Sequence, residues 1–561
     1  MTGNASGERP VRMGKPYIPD FWQIVTVVFL LLAGLFLVYP YAGLVLRSFV
    51  SAETGKPSLE NYALFFNFAY YFNTLLHSFA VSLSTTVLAL MLGIPMAYVF
   101  SRYDIPGKKI LKILIIISLL SPPFIGAYSW IMLLGRNGFI TKLLAQVGIT
   151  VPTIYGFRGL LLVFTLKLFP FVFLYVSGAL GSVDSSLEEA AESLGVRGIR
   201  KLLTVTFPLI LPTITAGAVM VFMTSLADLG TPMLIGEGYK VLPVLVYEEY
   251  MSEVGGNAAM ASTLSVIIVL CSLSMLFLQK LVINKRNYTM NGTRPPAVRN
   301  LRLPMRIILT IGSYAVAIAA IAPQITTVTT SFIKTRGPLF IKGFSLDSYR
   351  SVWYKLSSNI VHTFTYGGIA IVFMILIGML SAYLIVRRRS KATMILDTLL
   401  MSPYVIPGAV LGIILVMAFN KKPLILTGTA MIMIISYVIR KMPSIVRSSS
   451  AILYQLDPAV EEASISLGVS PMKTFFKVTA IMMLPGVISG AILSWIATIN
   501  ELSSTLILYS GRTGTISVAI YTEIFKDGYG TAAALASILT LATIVSLFIF
   551  DRITEGKGSV V

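Results

Sequence analysis

Long apolar runs, each closed by a short polar or charged stretch, recur from one end of this chain to the other. They predict twelve helical spans, at about residues 21–46, 73–100, 110–134, 157–180, 209–235, 259–283, 305–331, 359–386, 394–419, 424–443, 484–509 and 530–552. Each is close to the ~20 apolar residues that cross a hydrocarbon core of about 30 Å as a helix. The runs are continuous rather than alternating, which argues against a transmembrane β-barrel. The predicted fold class is therefore an all-α polytopic membrane protein. The first run, Phe21 to Leu46, is too long for the core of a signal peptide and lacks a small-residue cleavage site, so it reads as a retained span.

The pattern repeats. His77 and Ala97-Tyr98 recur as His362 and Ala382-Tyr383, 285 residues on. Ser121-Pro122 recurs as Ser402-Pro403, and Lys167 with Pro170 as Arg440 with Pro443. Asp228-Leu229 matches Glu501-Leu502, Tyr247 matches Tyr521, and Ala261-Ser262 matches Ala536-Ser537. Order is kept with small gaps. The chain thus reads as a six-helix unit over 1–283, a basic Pro-containing linker over 284–304, and a second six-helix unit over 305–561. Six spans per unit insert both copies the same way up, so a pseudo-twofold axis along the membrane normal is expected.

The most polar duplicated stretch is 184–212, DSSLEEAAESLGVRGIRKLLTVTFPLILP, which returns 273 residues later at 457–485 as DPAVEEASISLGVSPMKTFFKVTAIMMLP. Asp184 and Asp457 are good helix N-caps, and Pro458 suits a first turn. The acids that follow complement the helix dipole. Gly195 and Gly468 can take the left-handed conformation that ends a helix. Each copy therefore predicts a short helix, a glycine turn, and a second helix leading into a span.

Charge then fixes the sides. Only 12% of residues are charged, against about 25% in a soluble protein, and mean hydropathy is +0.82. The net charge of +20 does not indicate nucleic acid, because the Lys and Arg residues sit in short loops between spans. Most fall in segments that become cytoplasmic if both termini are inside, as the positive-inside rule expects. That arrangement makes both duplicated loops cytoplasmic. It also makes the acceptor triplets at Asn287 and Asn291 cytoplasmic, so no glycosylation is expected there. A single cysteine, Cys271, excludes an intrachain disulfide.

The duplicated loop resembles the EAA loop of ABC-importer permeases, in which Glu-Ala-Ala is followed by Gly after three residues and later by a hydrophobic-Pro pair. The first copy has Glu189-Ala190-Ala191 and Gly195; the second has Glu462-Ala463-Ser464 and Gly468. Pro208 has the usual spacing in the first copy, where the second has Ile481. The resemblance implies a fused two-repeat permease with a type I importer fold. It implies that Glu188, Glu189, Ala190, Ala191, Gly195, Glu461, Glu462, Ala463, Ser464 and Gly468 form coupling surfaces for two ABC ATPase subunits. It also implies an extracytoplasmic substrate-binding protein as partner and a bacterial inner-membrane location. No GxxxxGK[S/T] phosphate loop occurs in the chain, so ATP and Mg are expected on the ATPase partners, with no cofactor and no catalytic site here.

Asp228 and Glu501 are acids in apolar surroundings, and such residues usually face a bundle interior or a wet cavity. With the only histidines, His77 and His362, they are candidate translocation-pathway residues; whether any metal is held stays open. Lys167 is expected to snorkel to the inner interface, and span ten to leave the membrane near Pro443. Glu248, Glu249, Glu253, Glu523 and Asp527 are candidate external contacts. The ADLGTP run from Ala227 and the ELSSTLIL run from Glu501 look most like the ferric-iron branch of these permeases; thiamine, polyamine and phosphonate permeases are near relatives. The rival class is an ion-coupled secondary transporter, which gives no reason for the duplicated loops.

Overall fold

The computed structural model describes residues 20–120, 123–150, 152–252, 256–284, 298–337 and 339–554. Glu253, Ser121-Pro122 and the triplets at Asn287 and Asn291 lie outside them. The principal helices form two sets of ten in the same order. The first set is α1 (Phe21–Ser48), α2 (Ala69–Arg102), α3 (Lys108–Leu120), α4 (Pro123–Leu134), α5 (Phe157–Ser182), α6 (Ser185–Ser193), α7 (Gly198–Ala227), α8 (Gly230–Ile235), α9 (Leu242–Met251) and α10 (Ala258–Asn284). The second is α11 (Leu303–Ser331), α12 (Asp347–Arg387), α13 (Lys391–Met401), α14 (Gly408–Phe419), α15 (Ala430–Gln455), α16 (Ala459–Ser466), α17 (Pro471–Ile499), α18 (Thr505–Leu508), α19 (Ile516–Phe525) and α20 (Tyr529–Thr554). Two antiparallel hairpins sit in loops of the second half: β1 (Ile333–Arg336) with β2 (Leu339–Phe344), and β3 (Asn420–Lys421) with β4 (Leu424–Ile425).

By length and composition nine of the described helices can cross a membrane, and up to eleven spans result if two bent pairs each count as one. Four expectations change. The span predicted over 394–419 is two helices, running Lys391–Tyr404 and Gly408–Phe419, bent by 114°. The span predicted over 209–235 starts at Gly198 and breaks at Asp228, and the span over 484–509 likewise starts at Pro471 and breaks after Ile499. Residues 424–425 form β4, so the tenth span begins at Ala430. The helix itself continues past Pro443 to Gln455, with Ser449 and Ser450 buried against protein.

Three helices centre each half: α2, α5 and α7 in the first, α12, α15 and α17 in the second. Glycines let them close up, as small residues do between membrane helices. Val172 of α5 lies between Gly93 and Gly217, and its counterpart Ile445 of α15 lies between Gly378 and Gly490. A Cβ at Gly93 would stand 2.7 Å from the Val172 Cβ, and one at Gly378 2.8 Å from Ile445 Cγ2. Gly368, on the same helix α12, has nothing within 4 Å. Gly378→Leu should therefore cost about 1–3 kcal/mol by overpacking, and Gly368→Leu should cost nearly nothing. Thermal unfolding of the two purified variants in detergent checks this; equal melting temperatures would refute the wedge.

The first helix of each set crosses to the other half. The amino-terminal part of α1 packs on α13 and its carboxy-terminal part on α14, whereas α11 packs on α3 and α4. Buried Trp22 of α1 meets the rings of Tyr383 at 4.5 Å and Phe475 at 5.2 Å. Between α4 and α11, Ser129 Oγ and Thr327 Oγ1 share a 2.5 Å hydrogen bond. One apolar core joins the halves, with Phe124, Leu229, Val410, Ile413, Leu502 and Leu506 in it.

Candidate functional site

The duplicated loops fold as their sequence predicts. The Asp184 carboxylate accepts the Ser186 amide at 2.9 Å, and Asp457 accepts the Ala459 amide at 2.9 Å. Gly195 and Gly468 end the first short helices at φ 83° and 84°, where an L side chain would be strained. After the turn the chain enters α7 and α17 through a single π turn at the same place in each copy, Leu202–Thr206 and Phe475–Thr479. Such turns inside α-helices are frequent at functional sites.

Within each loop the acids divide their work. Glu188 takes the guanidinium of Arg102, at the end of α2, at 2.5 Å, and also Lys201 at 3.4 Å and the Thr206 hydroxyl at 3.0 Å. Glu461 takes Arg387, at the end of α12, at 3.1 Å and the Tyr383 hydroxyl at 3.1 Å. These two acids face the bundle and pin the loops to it. Glu189, Ala190, Glu462 and Ala463 face outward. Ala191 is buried and half-buried Ser464 hydrogen-bonds Thr474 at 3.0 Å, so the third position serves its own loop. Leu194 and Leu467, the residues before each glycine, project with 83% and 85% exposure. Each loop thus presents an exposed leucine and an outward carboxylate on a frame pinned to the bundle.

The buried acids Asp228 and Glu501 are paired. Asp228 Oδ2 lies 3.3 Å from Lys167 Nζ, and Oδ1 accepts the Thr231 amide at 2.9 Å. Glu501 Oε1 lies 2.5 Å from Arg440 Nη1 and Oε2 2.6 Å from Lys441 Nζ, and Oε1 accepts the Ser504 amide at 3.2 Å. Each carboxylate thus breaks a long helix, caps the short one that follows, and ties the break to α5 or α15. Lys167 does not snorkel: its side chain is 11% exposed and turned to Asp228. A charge at that depth is costly unless paired, so the pairing decides its direction. Arg440 lies across Gly408, where a Cβ would collide with Nη1. The breaks meet at the junction of the halves, with Leu502 Cδ2 3.0 Å from the Cβ position of Gly230.

The histidines hold a second repeated arrangement. His77 Nδ1 is 3.0 Å from the Lys240 carbonyl and His362 Nδ1 is 3.0 Å from that of Gly514. The hydroxyls one residue on, Ser78 and Thr363, accept the amides of Leu242 and Ile516 at 2.7 and 2.8 Å. Each pair of side chains seats the start of α9 or α19. His77 stacks on Tyr239 and His362 on Tyr366. Among the described residues no group of three or more His, Cys, Asp or Glu could hold a metal. Of the acids expected from sequence to be external contacts, Glu248 pairs with Lys240 at 2.6 Å, Glu249 accepts the Tyr71 hydroxyl at 3.0 Å, and Asp527 accepts that of Tyr529 at 3.1 Å.

Residues 89–288 and 374–556 each match the family described as binding-protein-dependent transport system inner membrane component. The chain belongs to that family. It is a multi-pass inner-membrane permease, and the family model matches it twice. It is 29% identical over 539 residues to the ferric transport system permease protein FbpB of Actinobacillus pleuropneumoniae, covering 93% of this chain and 77% of the relative. It is 29% identical to the putative ferric transport system permease protein FbpB 1 of Haemophilus influenzae, covering 86% of this chain and 77% of the relative. The molybdenum transport system permease protein ModB of Escherichia coli is 32% identical over 205 residues, which is 36% of this chain and 88% of that protein.

In this permease the residues missed from sequence are those that pin the loops and pair the acids, Arg102, Arg387, Lys201 and Lys441, and the projecting Leu194 and Leu467. The repeat offsets carry a signal for most of them. Leu194 and Leu467 are separated by the loop offset of 273, and Arg102 and Arg387 by the helix offset of 285. Lys441 has no counterpart, because Leu168 stands at its position in the first half.

Proposed function

We propose that this permease imports ferric iron, delivered by an extracytoplasmic binding protein and driven by two ABC ATPase subunits docked on the loops 184–212 and 457–485. The observation that carries the reading is the pair of pinned loops with projecting Leu194 and Leu467, on a chain whose relatives named for ferric transport align across both halves. The molybdenum relative aligns over only 36% of this chain, so its substrate is the weaker guide. The units 1–283 and 305–561, joined by a cytoplasmic linker at 284–304, would each present one coupling loop, with both termini cytoplasmic. Movement of a docked loop would pass through Glu188 to α2 and through the π turn to α7. The glycine-packed trio α2, α5 and α7 then moves largely as one body. Asp228, Glu501, His77 and His362 would act at the mobile junctions along the pathway.

Reconstitution tests this directly. Permease, ATPase and binding protein in vesicles should take up radiolabelled iron only with ATP. Uptake without the ATPase, driven by an ion gradient, would establish a secondary transporter instead. A binding protein that retains thiamine or an organic amine in place of iron would overturn the substrate.

A further inference from the structure

The two coupling loops are not held alike. Glu192 of the first loop accepts Lys201 at 2.7 Å and Arg299 at 2.9 Å on the same carboxylate oxygen. Arg299 belongs to the segment that joins the repeats, just before α11. Its backbone is fixed as well: its amide donates to the Arg102 carbonyl at 2.9 Å, and the Asp104 amide donates to its carbonyl at 3.3 Å. The seam continues along α11, where Arg306 meets the Asp104 carboxylate at 2.8 Å and the Tyr314 hydroxyl donates to the Gly107 carbonyl at 3.0 Å. Charges therefore run unbroken as Arg299, Glu192, Lys201, Glu188 and Arg102. In the second loop the same offset puts Ile465 at the position of Glu192 and Thr474 at that of Lys201. That loop meets the start of α1 through the rings of Trp22 and Phe475.

We propose that Arg299, just before α11, is a strap of the coupling machinery: it ties the first coupling loop to α11 by a charged seam that the second coupling loop does not have. The inference rests on reading these loops as ATPase-docking surfaces. An isolated exposed ion pair contributes little. Here one carboxylate is shared by two cations, and the backbone bridge already fixes Arg299, so little freedom is lost in making the contact. Since α11 packs on α3, α4 and α20, the strap links the first loop to helices of both halves. The first ATPase would thereby act on both halves through a charged seam, whereas the second loop reaches the other half through the aromatic contact of Trp22 with Phe475.

Glu192 is held at about 2, first by its hydrogen bond from Lys201 and then by that from Arg299. Its lowered value means the seam is complete above the ordinary carboxylate range and is lost only as pH falls towards 2. At working pH the seam should answer to salt, because screening between exposed charges shortens from about 10 Å at 0.1 M to about 3 Å at 1 M.

The test uses full-length permease in nanodiscs with Cys271→Ser and a spin label at Leu194→Cys or Leu467→Cys. Without ATPase, Arg299→Gln should raise the mobility of the label at 194 and leave that at 467 unchanged. Arg299→Lys should restore the order at 194, and 1 M salt should reproduce the effect of Arg299→Gln. In unlabelled, fully assembled transporter, Arg299→Gln should lower ATP-driven uptake about fivefold or more, with Arg299→Lys near wild type. A label at 194 indifferent to Arg299→Gln, equal changes at both labels, or unchanged uptake despite a loosened loop would each overturn the strap. The label readout needs no ATPase, so failure of the docking assignment would leave the mobility result standing and is told apart from failure of the strap.

Discussion

Leu194→Asp combined with Leu467→Asp should abolish ATP-driven uptake while leaving the membrane fold intact. Both leucines are more than four-fifths exposed, so their loss removes no packing from the permease. On a docked partner they would be central apolar anchors, and such residues typically carry 2 kcal/mol or more each when replaced. Two such losses correspond to at least about a 100-fold fall in uptake, since each 1.4 kcal/mol is tenfold. Each single variant should fall by less. The ATPase should also cease to co-purify with the double variant. Uptake within a factor of two of wild type in a well-folded double variant would remove the docking role from these loops. Glu189→Arg with Glu462→Arg, which reverses the charge beside each exposed leucine, should act in the same direction.

The second large effect is expected at Glu501. Glu501→Gln leaves Arg440 and Lys441 buried beside each other with no carboxylate between them. Breaking a buried pair by removing one partner costs about 3–5 kcal/mol, and here two cations are stranded instead of one. The amide also takes over the Ser504 contacts with half the acceptor capacity. Asp228→Asn strands only Lys167 and should be milder. Folded yield and melting temperature in detergent measure both, and Lys441→Met in the Glu501→Gln background should recover part of the loss. Equal stability of Glu501→Gln and Asp228→Asn would show that the extra cation of the second half is not held by Glu501.

Hydrophobic patterning reads well where a helix is long, straight and apolar, as in α1, α10, α11 and α20. It averages over breaks, because the short helices after Asp228 and Glu501 are as apolar as the long ones before them. For the same reason the bend before Gly408 is invisible to it. Residues 444–456 read as too polar to face lipid, yet α15 runs through them packed between α12 and α17, where Ser449 and Ser450 are buried. The duplicated loops were legible because caps and left-handed glycines are local chemistry. The pairings of Glu188 with Arg102, Asp228 with Lys167 and Glu501 with Arg440 were not, since these partners lie 61 to 86 residues from the acid and only the folded bundle brings them together. Lys167 shows the cost of reading a charge alone: the interface and an internal acid satisfy it equally on paper, and only one is within reach.

The crossing of α1 and α11 has a consequence for how the molecule is made. Synthesis runs from the amino terminus, so α3 and α4 are inserted well before the helix that covers them has been translated. Likewise α1 must wait for α13 and α14. Neither half can finish its own surface, and as two separate chains they would have to find each other in the plane of the bilayer before either was complete. One continuous polypeptide turns that encounter into an intramolecular step at an effective concentration set by a short connection. It also fixes the stoichiometry at one of each half, so no pair of like halves can form in its place.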